Sequence, residues 1–190
     1  MRESSIMLDR SKLTFRDMLS EDLSNVLTIE RNAHISPWSR LSFEESITKQ
    51  ESSTKQEFST DEEFSTQKEF STQKESSTQK ESSKKSLTSN NKYLCRILAF
   101  DEQILGYFII CPVADEMHIL NIVTSLHFQG QGVGHLLMEE IIRLAREGQR
   151  PKIFLEVRAS NLVAQNLYIK WQFEQISIRK RYYTLSLIHI

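Results

Sequence analysis

Six hexapeptides in tandem, ESSTKQ, EFSTDE, EFSTQK, EFSTQK, ESSTQK and ESSKKS, fill Glu51 to Ser86 without a gap. Three of them carry one aromatic residue (Phe58, Phe64, Phe70) and three carry none, so the units cannot build the shared core that a solenoid requires. Six-residue spacing also turns successive Phe side chains to different sides of a 3.6-residue helix. Rich in Ser, Thr, Gln, Lys and Glu, the array reads as a disordered low-complexity insert with outer limits at 49–90. Of the 190 residues, roughly 150 then remain for one packed domain spanning 1–190, enough for a self-sufficient core.

Charge and cysteine content narrow the class by exclusion. A net charge of −1 offers no basic field, so no direct nucleic-acid partner is expected. No apolar run is long enough to span a bilayer, and Arg2, Glu3, Asp9, Arg10 and Lys12 interrupt the N-terminal apolar residues, unlike a signal peptide. Cys95 and Cys111 are far apart, without a CxxC or Cys/His cluster, so neither a disulfide framework nor a metal site is expected. These readings place the chain in the cytoplasm, away from membranes.

Periodicity gives an alternation of strands and helices around the insert. Lys12–Arg16 reads as a strand, and Ser20, Glu21 and Asp22 open a helix carrying Leu23, Val26 and Leu27. Ser39 or Ser42 can cap a second helix through Phe43 and Ile47, entered from Pro37-Trp38. Tyr93–Phe100 and Leu105–Val113 form a hairpin across Asp101-Glu102-Gln103, and Met117–Ser125 is a further strand. Gly132–Arg146 is an amphipathic helix and Lys152–Arg158 a strand, with Ile153, Leu155 and Val157 on one face and Phe154, Glu156 and Arg158 on the other. Asn161–Trp171 is a helix and Gln175–Tyr183 a last strand, giving β-α-α-β-β-β-α-β-α-β, an α/β (α+β) pattern with a mixed sheet flanked by helices.

The run Gln129-Gly130-Gln131-Gly132-Val133-Gly134 stands between a strand and an amphipathic helix, where backbone N–H groups and the helix dipole can hold a phosphate. A tight turn for helix packing is the competing reading. The dinucleotide pattern GxGxxG fails because His135 stands at its last position, and a Walker loop would need a Lys. The spacing Q-x-x-G-x-G, filled by Gln129, Gly132 and Gly134, matches the motif with which GNAT acetyltransferases hold the CoA pyrophosphate.

With that motif, Leu155-Glu156-Val157-Arg158-Ala159-Ser160-Asn161 and Glu30-Arg31-Asn32-Ala33-His34-Ile35-Ser36-Pro37-Trp38-Ser39 resemble the bacterial ribosomal-protein-alanine N-acetyltransferases, the Rim-type branch of the GNAT superfamily. The resemblance covers nearly everything except the repeats and both ends. It implies a GNAT fold and acetyl transfer from acetyl-CoA to a protein's N-terminal α-amine, foremost the N-terminal alanine of a small-subunit ribosomal protein. Carried over residue by residue, the general base falls on Glu156 and the general acid on Tyr168. An α-amine has a reference pKa of about 7.7–8.0, so a base must take its proton before it attacks a thioester. A phenol beside the sulfur can protonate the departing thiolate. Ile122, Val123 and Thr124 match the strand that pairs with the pantetheine arm. Gly130, Gln131, Gly132, Val133, Gly134 and His135 match the pyrophosphate loop, and Asn161 a CoA contact. Read without the resemblance, Glu156 is a solvated or ion-paired strand residue, Tyr168 a core aromatic, Asn161 a helix cap and His34 a loop histidine.

Two departures stand out. The family commonly places arginines in the loop where this chain has Gly130, Gln131 and His135, which leaves the backbone amides to carry the pyrophosphate. After Tyr183 the family continues into a closing strand, whereas this chain ends Thr184-Leu185-Ser186-Leu187-Ile188-His189-Ile190. The final strand is therefore expected to be missing. Residues 185–190, which also match one reading frame of a transposon-end sequencing adapter, are a candidate non-native tail. Lysine or small-amine acetylation and a catalytically impaired acyl-CoA-binding protein are the alternative functions.

Deleting Glu51–Ser86 is expected to leave folding and acetyl transfer nearly unchanged and to stabilise by about 1–1.5 kcal/mol through a shorter loop closure. Limited proteolysis and peptide kinetics check this; protease-resistant repeats or a tenfold change in peptide affinity contradict it.

Overall fold

The computed structural model describes residues 10–57, 93–183 and 185–189. Most of the proposed insert, residues 58–92, lies outside the described residues, and so does the question of its disorder. The chain begins with β1 (Leu13–Asp17), followed by α1 (Leu23–Ala33) and α2 (Arg40–Glu57). The meander β2 (Leu94–Phe100), β3 (Gln103–Val113) and β4 (Glu116–Thr124) comes next. Then come α3 (Val133–Glu147), β5 (Lys152–Arg158), α4 (Leu162–Lys170), β6 (Ser177–Tyr183) and β7 (Leu185–His189).

Ends of elements follow from local chemistry. The Asp22 carboxylate, rather than Ser20, organises the entry to α1: it accepts the Leu19 N–H (2.8 Å) and both Arg16 guanidinium nitrogens (2.6 and 2.7 Å). Ser39 Oγ accepts the Ser42 N–H at the start of α2 (3.1 Å), as one of the two expected caps. The β2–β3 turn places Asp101 at φ 52°, a left-handed conformation that Asp tolerates better than most residues. Helix α2 runs to Glu57, so the insert's expected limit at residue 49, and its first hexad, fall inside a helix. The first hexad, ESSTKQ, contains neither Gly nor Pro, so nothing in its backbone chemistry stops a helix already propagating from α2.

The sheet has seven strands in the order β1-β2-β3-β4-β5-β7-β6. Every neighbouring pair is antiparallel except β4 and β5. The expectation of a missing final strand is corrected here: β7 lies between β5 and β6 and pairs with both. Its Leu-Ser-Leu-Ile-His sequence holds no Gly or Pro to oppose an extended strand, and the open edge of β5 supplies backbone donors and acceptors that need a partner.

Two cores pack on opposite faces of the sheet. Leu23, Val26 and Leu27 of α1 and Phe43 and Ile47 of α2 pack with Ile97, Tyr107 and Val123 on one face. Val133, Leu137 and Ile141 of α3 and Tyr168 of α4 pack with Phe108, Met117, Ile119, Leu155 and Val157 on the other. Register in β4 shifts at Leu120: Ile110 faces Ile119, but Ile109 faces Asn121. This bulge turns Asn121 and Val123 toward α1, although Met117 and Ile119 face α3.

Burial sets the pH response. The Cys95 thiol is pushed up from 9.0 to about 12 by burial, with Asp17 adding to the effect. Burial likewise lifts the Tyr168 phenol from 10.0 to about 12, and burial together with Glu30 raises Tyr107. The folded protein thus holds protons that the unfolded chain releases, so this stabilisation is complete below pH 9.0 and is lost as pH rises toward about 12. Urea midpoints are expected to fall across that window, and to fall less at its start in Cys95→Ala; a flat profile contradicts the assignment.

Candidate active site

The parallel ladder between β4 and β5 runs from Glu116↔Lys152 to Ile119↔Leu155 and stops, although both strands continue. Beyond that point β4 remains paired with β3, and β5 with β7, so the two strands face each other unpaired. A slot of about 190 Å³ lies at this parting. Its walls come from Asn121 and Ile122 of β4, Glu156 and Arg158 of β5, Asn161 and Tyr168 at α4, and Glu30, His34 and Trp38 around the end of α1. A broader cleft of about 740 Å³ opens beside it, between α2 and the paired halves of β4 and β5. Trp38, Ser46, His118 and Phe154 line that cleft, and Glu156 lines both spaces.

Strand alternation places Glu156. Leu155 and Val157 are buried in the α3/α4 core, which leaves the intervening carboxylate on the opposite face, exposed toward the slot and the cleft. Helical spacing places Tyr168, 5% exposed, on the stripe of α4 that packs against the sheet. Its ring sits 5.9 Å from that of Phe173, and burial keeps its phenol protonated well past neutrality.

The glycine loop is built for backbone contacts. Gly130 and Gly132 adopt φ of 75° and 88°, a left-handed region costly for other residues, and Gly132 is the residue before the first turn of α3. Gly134 serves packing: a Cβ there would lie 3.2 Å from Leu167 Cδ2 and 3.7 Å from Thr124 Oγ1. The first turn of α3 thus stands beside the end of β4; its His135 and Leu136 N–H groups donate to the Gly132 carbonyl (3.0 and 3.2 Å). Side chains contribute little here: Val133 and Val123 are buried in the two cores, and Gln131 Nε2 donates to the His127 carbonyl (2.9 Å). The His135 ring sits 6.0 Å from Trp171. An anion at this loop would meet backbone N–H groups rather than cationic side chains.

Of the residues singled out from sequence, the fold gathers Glu156, Tyr168, Asn161 and Ile122 around the slot. Thr124 and Gly134 meet at the foot of α3, while Val123 offers only its main chain. Asn161 keeps its capping role as well, since Oδ1 accepts the Ala164 N–H (3.1 Å). Among the described residues, no group of three His, Cys, Asp or Glu side chains could hold a metal ion. No described helix is long and apolar enough to cross a membrane.

A family model for the acetyltransferase (GNAT) family matches residues 53–173. The chain belongs to the GNAT acetyltransferase family. It is therefore an acetyltransferase that uses acetyl-CoA. A Bacillus subtilis (strain 168) relative, provisionally named a [ribosomal protein bS18]-alanine N-acetyltransferase, is 27% identical over 92% of this chain and 89% of its own. The [ribosomal protein bS18]-alanine N-acetyltransferase of Haemophilus ducreyi is 34% identical over 54% of this chain and 72% of its own. The crystal structure of the ribosomal-protein-S18-alanine N-acetyltransferase from Escherichia coli superposes with a TM-score of 0.65 at 25% identity, covering 93% of this chain and 90% of that one.

One residue of the Glu30–Ser39 segment received no role of its own from the sequence. Glu30 is fully buried, lines the slot and accepts hydrogen bonds from Tyr107 and the Trp38 backbone. The pattern held a clue: Leu23, Val26, Leu27 and Glu30 follow i, i+3, i+4, i+7 spacing, so a carboxylate occupies a place on the apolar stripe.

Proposed function

We propose that this enzyme acetylates the α-amine of a protein N-terminus, foremost the N-terminal alanine of the small-subunit ribosomal protein bS18. The observation carrying this reading is that Glu156 belongs to both the narrow slot and the broad cleft. An acceptor chain entering by the cleft meets a carboxylate at the same place where a thioester lying along β4 would end. The names of the relatives supply the acceptor, and a cytoplasmic location follows from it.

Acetyl-CoA supplies the activated acetyl group; this chain's residues handle protons and orientation. Glu156 takes a proton from the acceptor ammonium, freeing its lone pair for attack. Main-chain groups of Ile122, Val123 and Thr124 on the side of β4 away from β3 orient the pantetheine arm and polarise the thioester carbonyl. Backbone amides of the loop from Gly130 to Gly134 hold the pyrophosphate, with His135, whose own N–H donates to the Gly132 carbonyl (3.0 Å), at its edge, and Asn161 contacts the CoA from the head of α4. As the C–S bond breaks, Tyr168 gives its phenol proton to the leaving sulfur, and the second proton shed by the acylated nitrogen restores the phenol.

Mass analysis of an Ala-initiated peptide incubated with acetyl-CoA is expected to show one acetyl on the α-amine, with N-terminally blocked lysine peptides inert. Acetylation of lysine peptides alone would overturn the acceptor assignment. Glu156→Gln is expected to lower kcat by about 10²–10⁴-fold while calorimetry shows acetyl-CoA affinity nearly intact; unchanged turnover at neutral pH would make Glu156 a surface residue. Tyr168→Phe keeps the ring in the α4 stripe, so slower turnover with little change in Tm is expected. A large fall in Tm at normal turnover would instead make Tyr168 a core aromatic.

A further inference from the structure

Glu30 ends the apolar stripe of α1, yet no part of it is exposed. Burying a carboxylate is costly unless its oxygens are satisfied. Here Oε1 accepts the Trp38 N–H (2.7 Å), and Oε2 accepts the Tyr107 hydroxyl (2.5 Å) and, at 3.4 Å, Asn121 Nδ2. His34 Nε2 lies 3.5 Å from Oε2. An apolar side chain would complete the stripe without that cost, so hydrophobic packing does not account for the carboxylate.

Its partners lie on three separate elements. Trp38 belongs to the loop between α1 and α2, Tyr107 to β3, and Asn121 follows the Leu120 bulge of β4. Ser36 and Trp38 of the loop line the slot, and Trp38 lines the cleft as well. The Trp38 ring also packs 5.5 Å from Phe43, which lies 5.8 Å from Tyr107, so an aromatic contact runs alongside the polar one. One carboxylate thus joins the loop on the acceptor side to the strand beside which the thioester would lie.

We propose that Glu30 is a positioning residue for the acceptor: by accepting the Trp38 N–H while held by Tyr107 and Asn121, it fixes residues 35–39 as a preformed wall of the acceptor entrance. The proposal rests on the reading of this site as a peptide N-acetyltransferase. Ordering the wall before binding spares the acceptor the entropy of arranging it, so the effect belongs in acceptor affinity rather than in chemistry. Glu30 itself performs no proton transfer in this scheme.

Kinetics with an Ala-initiated peptide, calorimetry with acetyl-CoA and amide hydrogen exchange test the proposal together. In Glu30→Ala the peptide KM is expected to rise about tenfold or more, while kcat and the acetyl-CoA Kd change less than about threefold and the Trp38 amide exchanges at least about tenfold faster. Glu30→Gln retains an oxygen for the Trp38 N–H and is expected to recover most of the loss in KM. A fall in kcat at unchanged KM, equal damage in both variants, or an unchanged Trp38 exchange rate would overturn the proposal. Should Glu30→Ala not fold, Trp38→Pro and Trp38→Ala decide it: both lose the indole, but only the first loses the N–H. Its KM is expected to be about tenfold higher than that of the second, and equal values overturn the proposal. Peptide inertness of the wild-type protein would instead sink the peptide-acceptor reading, whereas the exchange measurement still reports on the loop.

Discussion

Everything at this site depends on a ladder that stops. Parallel pairing of β4 with β5 ends at Ile119↔Leu155, while each strand stays bonded to its outer neighbour. Main-chain groups on the facing edges are then left without sheet partners, and such groups must be met by water or by a ligand. A pantetheine arm is a chain of amides, able to take the place of a strand. The parting therefore creates both a space and a bonding demand at the same place.

The two packed faces keep that parting open in different ways. On the α3/α4 side, Leu155 and Val157 anchor β5 in a continuous apolar core with Met117 and Ile119 of β4. On the α1/α2 side, the bulge at Leu120 turns Asn121 inward to the buried Glu30 carboxylate, and polar contacts replace apolar ones. An apolar core tolerates small slips of its members, whereas a carboxylate with several directional donors does not. The α1/α2 side thereby gains geometry where the other side gains bulk stability.

Much of the architecture was legible because its periodicities are strong. The alternation in Ile153–Arg158 and the stripe through Val133, Leu137 and Ile141 identified β5 and α3 to within about two residues, and Gln129–Gly134 marked the loop between β4 and α3. Where the reading failed, a partner distant in sequence decided. β7 was read as an absent strand because Leu185–His189 does not match the family's text, but an open edge on β5 pairs with a segment that can extend. Helix α2 continues past residue 49 because a helix once begun extends through Ser, Thr, Lys and Glu as readily as it stops.

By itself the sequence determined the order of elements, the two left-handed glycines that only a flexible backbone accommodates, and the alternation that puts Glu156 opposite a buried face. These are local properties, set by φ/ψ sterics and by the period of each element. Tertiary structure alone decided that β4 and β5 part after Ile119, that Glu156 stands between two cavities, and that Glu30 binds a loop, β3 and β4 at once. Such facts depend on residues up to 91 positions apart in the chain. No local pattern encodes them, because each arises only when packing brings separately specified surfaces together.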